Sequence, residues 1–281
     1  MANINASDYN EKLQNPAAFF RDTALKGGKA VRVPGKRQLF SFSGANAITY
    51  KFTDAAERLV AVRCFTIDLK LPVYSDLAER YAAISQFVNA KRHPWFVAFE
   101  YQREGVFIAQ EWVPILKMDW VDGVPLTSYV RDHVTHFDHM ITLAENFRAG
   151  VRDLKRMGCA HGDLQHNNIL VESDGKMRLV DYDGMFVPGL QGRRAIEIGE
   201  PNYQSPKRSG ADYHERLDHF SAITIYLALL ALATAPRLLP MTDDLKVEPL
   251  LIRKDDLKQA KTSPLFQCLR DIGYTRAADL L

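Results

Sequence analysis

His161-Gly-Asp-Leu-Gln-His-Asn-Asn168, followed after a short hairpin by Asp181-Tyr-Asp-Gly184, decides how this chain reads. Ile169-Leu-Val-Glu172 and Met177-Arg-Leu-Val180 are apolar, partly β-branched runs. The Ser173-Asp-Gly-Lys176 between them contains Asp-Gly, a strong hairpin signal. With Asp174-Gly175 as a two-residue turn, Ser173 faces Lys176, Glu172 faces Met177, and Asn168 is expected opposite Asp181. Side chains directly opposed in an antiparallel pair lie about 4.5–5.5 Å apart at Cβ. An amide oxygen and a carboxylate at that separation can share one hard cation. Mg²⁺ suits such a pair, because it binds through oxygen ligands and brings substrate phosphates and water to complete its shell. Asp163, on the entering loop, is then free to orient a nucleophile. Taken singly, each of these residues is an ordinary helix cap or hairpin mouth; the three at this spacing favour a site.

His-Gly-Asp-Leu-x-x-x-Asn followed by Asp-Tyr-Asp resembles the catalytic loop and metal-binding motif of the eukaryotic-like protein kinase superfamily. The resemblance implies Asp163 as base or orienter for a substrate hydroxyl, with Asn168 and Asp181 as Mg²⁺ ligands. Asp183 adds a carboxylate that either supplies a further ligand or repels nucleotide phosphate. The implied fold is α+β and bilobal, with a small β-rich N-lobe carrying one main helix and a mostly helical C-lobe. On that frame residues 1–35 form an N-terminal extension, 36–118 the N-lobe and 119–281 the C-lobe. A usual large lobe would continue past Leu281, so a compact variant and a piece of a longer protein both fit.

Upstream, Ala47-Ile-Thr-Tyr-Lys-Phe52 and Leu59-Val-Ala-Val-Arg-Cys-Phe65 read as two strands joined by a polar connection, which brings Arg63 within a residue or two of Ile48. Val60-Ala61-Val-Arg63 is similar to the kinase Val-Ala-Ile-Lys strand. Arg63 then stands where the phosphate-contacting Lys normally does, with its charge kept but its shape changed. Ser43-Gly44-Ala45-Asn46 carries one glycine where the phosphate-covering loop has up to three, and an ordinary β-turn accounts for it as well. Leu77, Tyr81, Ile84 and Val88 keep a helical period from Ser75 onward. This helix resembles the small-lobe αC helix, and Glu79 is its candidate partner for Arg63. Ile115–Met118 and Asp119-Trp-Val-Asp-Gly123 resemble the last small-lobe strand and the hinge. The resemblance makes Met118 the gatekeeper and sets Ala61 and the backbone of Asp119 and Val121 against the adenine of ATP.

Met140, Ala144, Phe147, Val151, Leu154 and Met157 share one helical face, and Gly158 is a plausible stop. Glu200-Pro-Asn-Tyr-Gln-Ser-Pro-Lys207 resembles the end of an activation segment. Leu217-Asp-His-Phe-Ser221 resembles the start of the core αF helix, with Asp218 bracing the backbone near His161. The run from Phe220 to Pro236 has no charge. It sits at the bottom edge of the membrane-spanning range and is expected as that core helix instead.

Departures from the family pattern bear on activity. Gly162 replaces the Arg that pairs with a phosphorylated loop, and Asp183–Asn202 contains no Ser, Thr or Tyr. Switching by phosphorylation of that loop is therefore not expected. Gln165 stands in place of a phosphate-neutralising Lys, and Lys207 in place of a terminal Glu. Losing one cation and altering another should slow phosphoryl transfer, which depends on positioning and charge neutralisation. Three readings stay open: an ATP- and Mg²⁺-dependent serine/threonine protein kinase of atypical type, a pseudokinase that binds nucleotide or a partner, and a small-molecule kinase of the aminoglycoside or choline type.

The 281 residues are 47% hydrophobic and 25% charged, enough to bury a sizeable core. With 36 basic and 34 acidic side chains the net charge is +2, so nothing argues for a nucleic-acid surface. Met1–Asn15 is polar and shows no secretory signal. Cys64, Cys159 and Cys268 lack metal spacing and fit reduced thiols in a cytoplasmic protein. The expected partners are ATP and a protein substrate, with no membrane role; the oligomeric state is not readable.

Overall fold

The computed structural model describes residues 4–239 and 249–275. The chain divides into two compact units, the first reaching Arg92 and resuming over Val97–Val121, the second comprising His93–Phe96 and the residues from Asp122 onward.

In the first unit α1 (Ala6–Lys12), α2 (Pro16–Phe19) and α3 (Thr23–Lys26) precede β1 (Lys29–Ala30), β2 (Ser41–Ser43), β3 (Ala47–Thr53) and β4 (Leu59–Phe65). Then come α4 (Leu77–Lys91), β5 (Phe99–Ile108) and β6 (Glu111–Asp119). The antiparallel sheet runs β1-β3-β4-β6-β5, with β2 also paired to β3. β4 is buried from Val60 to Phe65, as a strand covered on both faces should be. Phe65 meets Tyr81 of α4 at 5.9 Å between ring centroids. Val60, Val62 and Cys64 belong instead to a core shared with Tyr9, Leu13, Phe20 and Leu25. The first helices are thus part of the sheet's own core. Tyr9 Oη donates to the Phe65 carbonyl at 2.7 Å, and Asp22 caps α3 while accepting from Gln102 and Lys117. Phe20 bridges Val106 of β5, and the next amide, Arg21 N–H, donates to Gly105 O, covering a stretch of backbone that a bare edge strand would expose.

The second unit contains β7 (Gly123–Pro125), α5 (Leu126–His133), α6 (Phe137–Met157), β8 (Ile169–Glu172), β9 (Met177–Leu179), α7 (His219–Thr234), α8 (Lys254–Lys258) and α9 (Pro264–Asp271). The expected helix around Met140 is α6, and Gly158 stops it in the left-handed region at φ +69°. Gly150 lies inside α6 because Trp95 covers it: a Cβ there would come within 2.0 Å of the indole. The uncharged run after Phe220 forms α7, whose side chains are buried from Ser221 to Ala233 around much of its circumference, as a core helix requires. Among the described residues no helix is long and apolar enough to cross a membrane.

The hairpin departs from expectation. β8 and β9 form, but Val171 pairs with Met177, Leu170 with Arg178 and Ile169 with Leu179. The loop has three residues, Ser173 to Gly175, closed by Glu172 N–H donating to Lys176 O at 2.8 Å. Gly175 takes the left-handed conformation, φ +81°. Asp-Gly serves this three-residue loop, in which one position needs positive φ, as well as the two-residue turn. The register slips by one, and Asn168 lies opposite Val180, not Asp181; Val180 N–H donates to Asn168 O at 3.0 Å. β7, absent from the sequence reading, pairs with β8 as a third strand.

Candidate functional site

Asp163 and Asn168 meet directly within one loop. Asn168 Nδ2 donates to the Asp163 carbonyl and to Asp163 Oδ2, both at 2.9 Å. Its amide oxygen makes no hydrogen bond among the described residues and stays available to a cation. Asp163 Oδ1 accepts Glu200 N–H at 2.7 Å. The carboxylate is thereby fixed from both sides, while a carboxylate offers about four acceptor sites. Gly199 makes the second approach possible: its φ is +86°, and a Cβ would come within 2.6 Å of Asp163 Oδ1.

Asp181 reaches the neighbourhood by a route other than strand pairing. Just after β9 its backbone turns left-handed, φ +66°. Asp is among the few side chains that tolerate this region, at about 1–2 kcal/mol. The turn follows Val180, whose carbonyl accepts from His161 Nε2 at 2.9 Å and whose amide is held by Asn168. Tyr182 is buried, with its hydroxyl on the Leu179 carbonyl at 2.8 Å. The ends of the loop and the hairpin are therefore tied, and Asp183 is partly exposed.

Asp218 braces the loop as expected. Its carboxylate accepts His161 N–H at 2.5 Å and Gly162 N–H at 2.8 Å, and it makes no side-chain cap on α7. Burial raises the Asp218 carboxyl above the ordinary carboxylate range, opposed by His161, the two amides and Arg208. Gln165, in place of a lysine, turns its oxygen onto Asn167 N–H at 3.0 Å. Lys207 is exposed. Glu200 and Gln204, which the sequence placed only within a stretch resembling the end of an activation segment, and Arg208 just after it, join the site in roles the sequence did not assign.

His166 adds a pH dependence. Its ring is 2% exposed, packs 5.4 Å from the Tyr203 ring, and neither nitrogen has a partner among the described residues. Burial lowers its pKa from 6.5 to about 4. Between those values the unfolded chain binds a proton that the native state refuses, so stability rises with pH through this window and falls as acid is added. The full shift corresponds to roughly 3 kcal/mol. His166→Leu should therefore lose less stability than the parent between about pH 7 and pH 4.5 in divalent-free buffer. Equal losses in denaturant melts would refute this.

In the first unit, Ala61 pairs across the sheet with Met118, and Val60 with Asp119. Arg63 is 7% exposed, between Thr49 of β3 and Leu116 of β6, as the strand reading required. It alternates onto the face of Phe65, which meets α4, and Glu79 lies in the first turn of that helix. Asp119 N–H is bonded to the Ala98 carbonyl at 3.1 Å, and Val121 closes the unit. Gly44 donates to Ala47 O at 2.8 Å in an exposed turn; a Cβ there would meet nothing closer than 3.5 Å. No close packing makes glycine obligatory there.

No protein-family model matches the chain. It is similar to a probable serine/threonine-protein kinase of Dictyostelium discoideum, 26% identical over 121 residues, 43% of this chain and 13% of that protein. A serine/threonine-protein kinase of Talaromyces marneffei is 24% identical over 106 residues, 37% of this chain and 16% of that protein. One of Arabidopsis thaliana is 33% identical over 76 residues, 27% of this chain and 16% of that protein. The matched part spans about one sixth of the length of these curated relatives. The mixed α/β architecture, with its antiparallel sheet and several helices, is compatible with a kinase-like fold. Distant and partial as the matches are, they give the chain a kinase-like relationship.

Proposed function

We propose that the chain is an ATP- and Mg²⁺-dependent phosphotransferase acting on serine or threonine hydroxyls of a protein. The observation that carries this reading is the Asp163 carboxylate held by Asn168 and by Glu200 N–H. In that role Asp163 accepts the proton of the attacking hydroxyl and holds that hydroxyl in line. Asn168 Oδ1 and Asp181, with Asp183 as a further carboxylate, are oxygen donors of the kind Mg²⁺ takes. When bound, Mg²⁺ neutralises charge on the phosphates. Arg63 is the proposed phosphate contact with Glu79 as its acidic partner, and Gly44, Ala61, Met118, Asp119 and Val121 the proposed nucleotide-facing positions. The cytoplasm is the proposed compartment, in keeping with three free cysteines.

The second reading, a pseudokinase, is favoured by Gln165, which stands in place of a phosphate-neutralising lysine and turns its oxygen onto Asn167 N–H, and by the single glycine of Ser43–Asn46. Thermal shift with ATP, with and without Mg²⁺, followed by labelled γ-phosphate transfer to the chain itself and to a generic protein, separates the two. The kinase reading expects a Mg²⁺-dependent shift and transfer. Binding without transfer selects the pseudokinase, and no shift at all removes both.

A further inference from the structure

Gly162 leaves the Asp163 loop without a side chain where one would be charged in the resembling family, and the backbone forbids a replacement. Its φ is +81°, and a Cβ would come within 1.9 Å of the Gly184 carbonyl oxygen. The charge beside this peptide comes from elsewhere. Arg208 Nη1 donates to the Gly162 carbonyl at 2.6 Å and also to Gln204 Oε1. Its Nε and Nη2 are buried with no hydrogen-bond partner among the described residues, as is Gln204 Nε2. Burial lowers the basicity of Arg208, and the carboxylates of Asp218, Asp163, Glu197 and Asp212 pull it back up. Buried donors without partners destabilise a fold. What offsets them here is a positive charge among carboxylates and a bond to the loop backbone.

The same segment touches that loop at both ends. Glu200 N–H holds the Asp163 carboxylate, and Arg208 holds the carbonyl of the preceding residue. We propose that Arg208 is a positioning residue that locks the Asp163 loop against the Gly199–Arg208 segment, fixing the working geometry without any phosphorylated side chain. This rests on the reading of Asp163 as the base. It fits the absence of any hydroxyl side chain from Asp183 to Asn202.

The test compares the full chain, shown free of phosphate by intact mass, with Arg208→Met and Arg208→Lys. Transfer kinetics with Mg²⁺-ATP and a generic protein are measured alongside amide hydrogen exchange. Misplacing a reacting group by about 1 Å costs about 100-fold, so Arg208→Met should lower kcat by about that factor and leave KM for ATP within about threefold. Arg208→Lys keeps the charge without the planar fork and should lie about tenfold below the parent. In both variants exchange should accelerate at residues 161–163 and 199–204 and be unchanged in the β4–β6 strands. If Arg208→Met does not fold, Arg208→Lys carries the comparison. A folded variant with parental kcat overturns the proposal, as does unchanged exchange in those two segments or a parent active only once phosphorylated. A parent that never transfers phosphate, yet whose variants show the segment-specific exchange, removes the kinase reading and keeps Arg208 as the lock.

Discussion

Asp163→Ala should lower phosphoryl transfer by about 10²–10⁴-fold, the range that a positioned general base supplies, while a Mg²⁺-ATP thermal shift persists. The two effects should separate because Asn168 Nδ2, bonded to the Asp163 carboxylate, keeps a second attachment when that carboxylate is removed. Asn168 retains the Asp163 backbone carbonyl at 2.9 Å, so the loop keeps one of its ties. Asp181→Ala should behave differently, abolishing transfer together with the Mg²⁺-dependent part of the shift. Transfer by Asp163→Ala at more than about a tenth of the parental rate would mean that another group takes the proton.

Asp218→Ala should be the most destabilising single substitution near the site, by about 2–6 kcal/mol, the usual consequence of leaving two buried donors unsatisfied. It would strand the buried amides of His161 and Gly162 and remove a carboxylate whose charge acts on Arg208. Asp218→Asn keeps the shape and one acceptor and should recover part of the loss. Denaturant melts decide it: an Asp218→Ala midpoint indistinguishable from the parent would show that the brace contributes nothing.

Periodicity made the long elements legible. α4, α6 and α7 announce themselves because their buried faces repeat with the helical turn or fill the whole helix, and β3 and β4 because they are β-branched and flanked by polar turns. The brace by Asp218 came from the resemblance of Leu217–Ser221 to the start of a core αF helix; its place before an apolar helix would by itself have made it only a cap. The hairpin register was not legible, because Asp-Gly fits two loop lengths and local sequence does not choose between them. Nor were Glu200, Gln204 and Arg208. Their roles arise from the return of the chain against the 161–163 backbone, a contact made some forty residues away in sequence that leaves no periodic trace. The helices before residue 30 are too short to show a reliable face, yet Tyr9, Leu13, Phe20 and Leu25 are all fully or almost fully buried.

Those first helices set the order in which the protein can be built during its synthesis. Tyr9 finds its acceptor 56 residues later at Phe65, and Asp22 finds Lys117 after 95 residues. At a translation rate of roughly 5–20 residues per second, that second interval alone lasts roughly 5–20 s. Until β3 and β4 have followed, the nascent arm lacks the strands on which it buries its aromatic side chains, and until β5 and β6 have followed it lacks the rest. The helices of residues 6–26 are thus seated only by strands made after them.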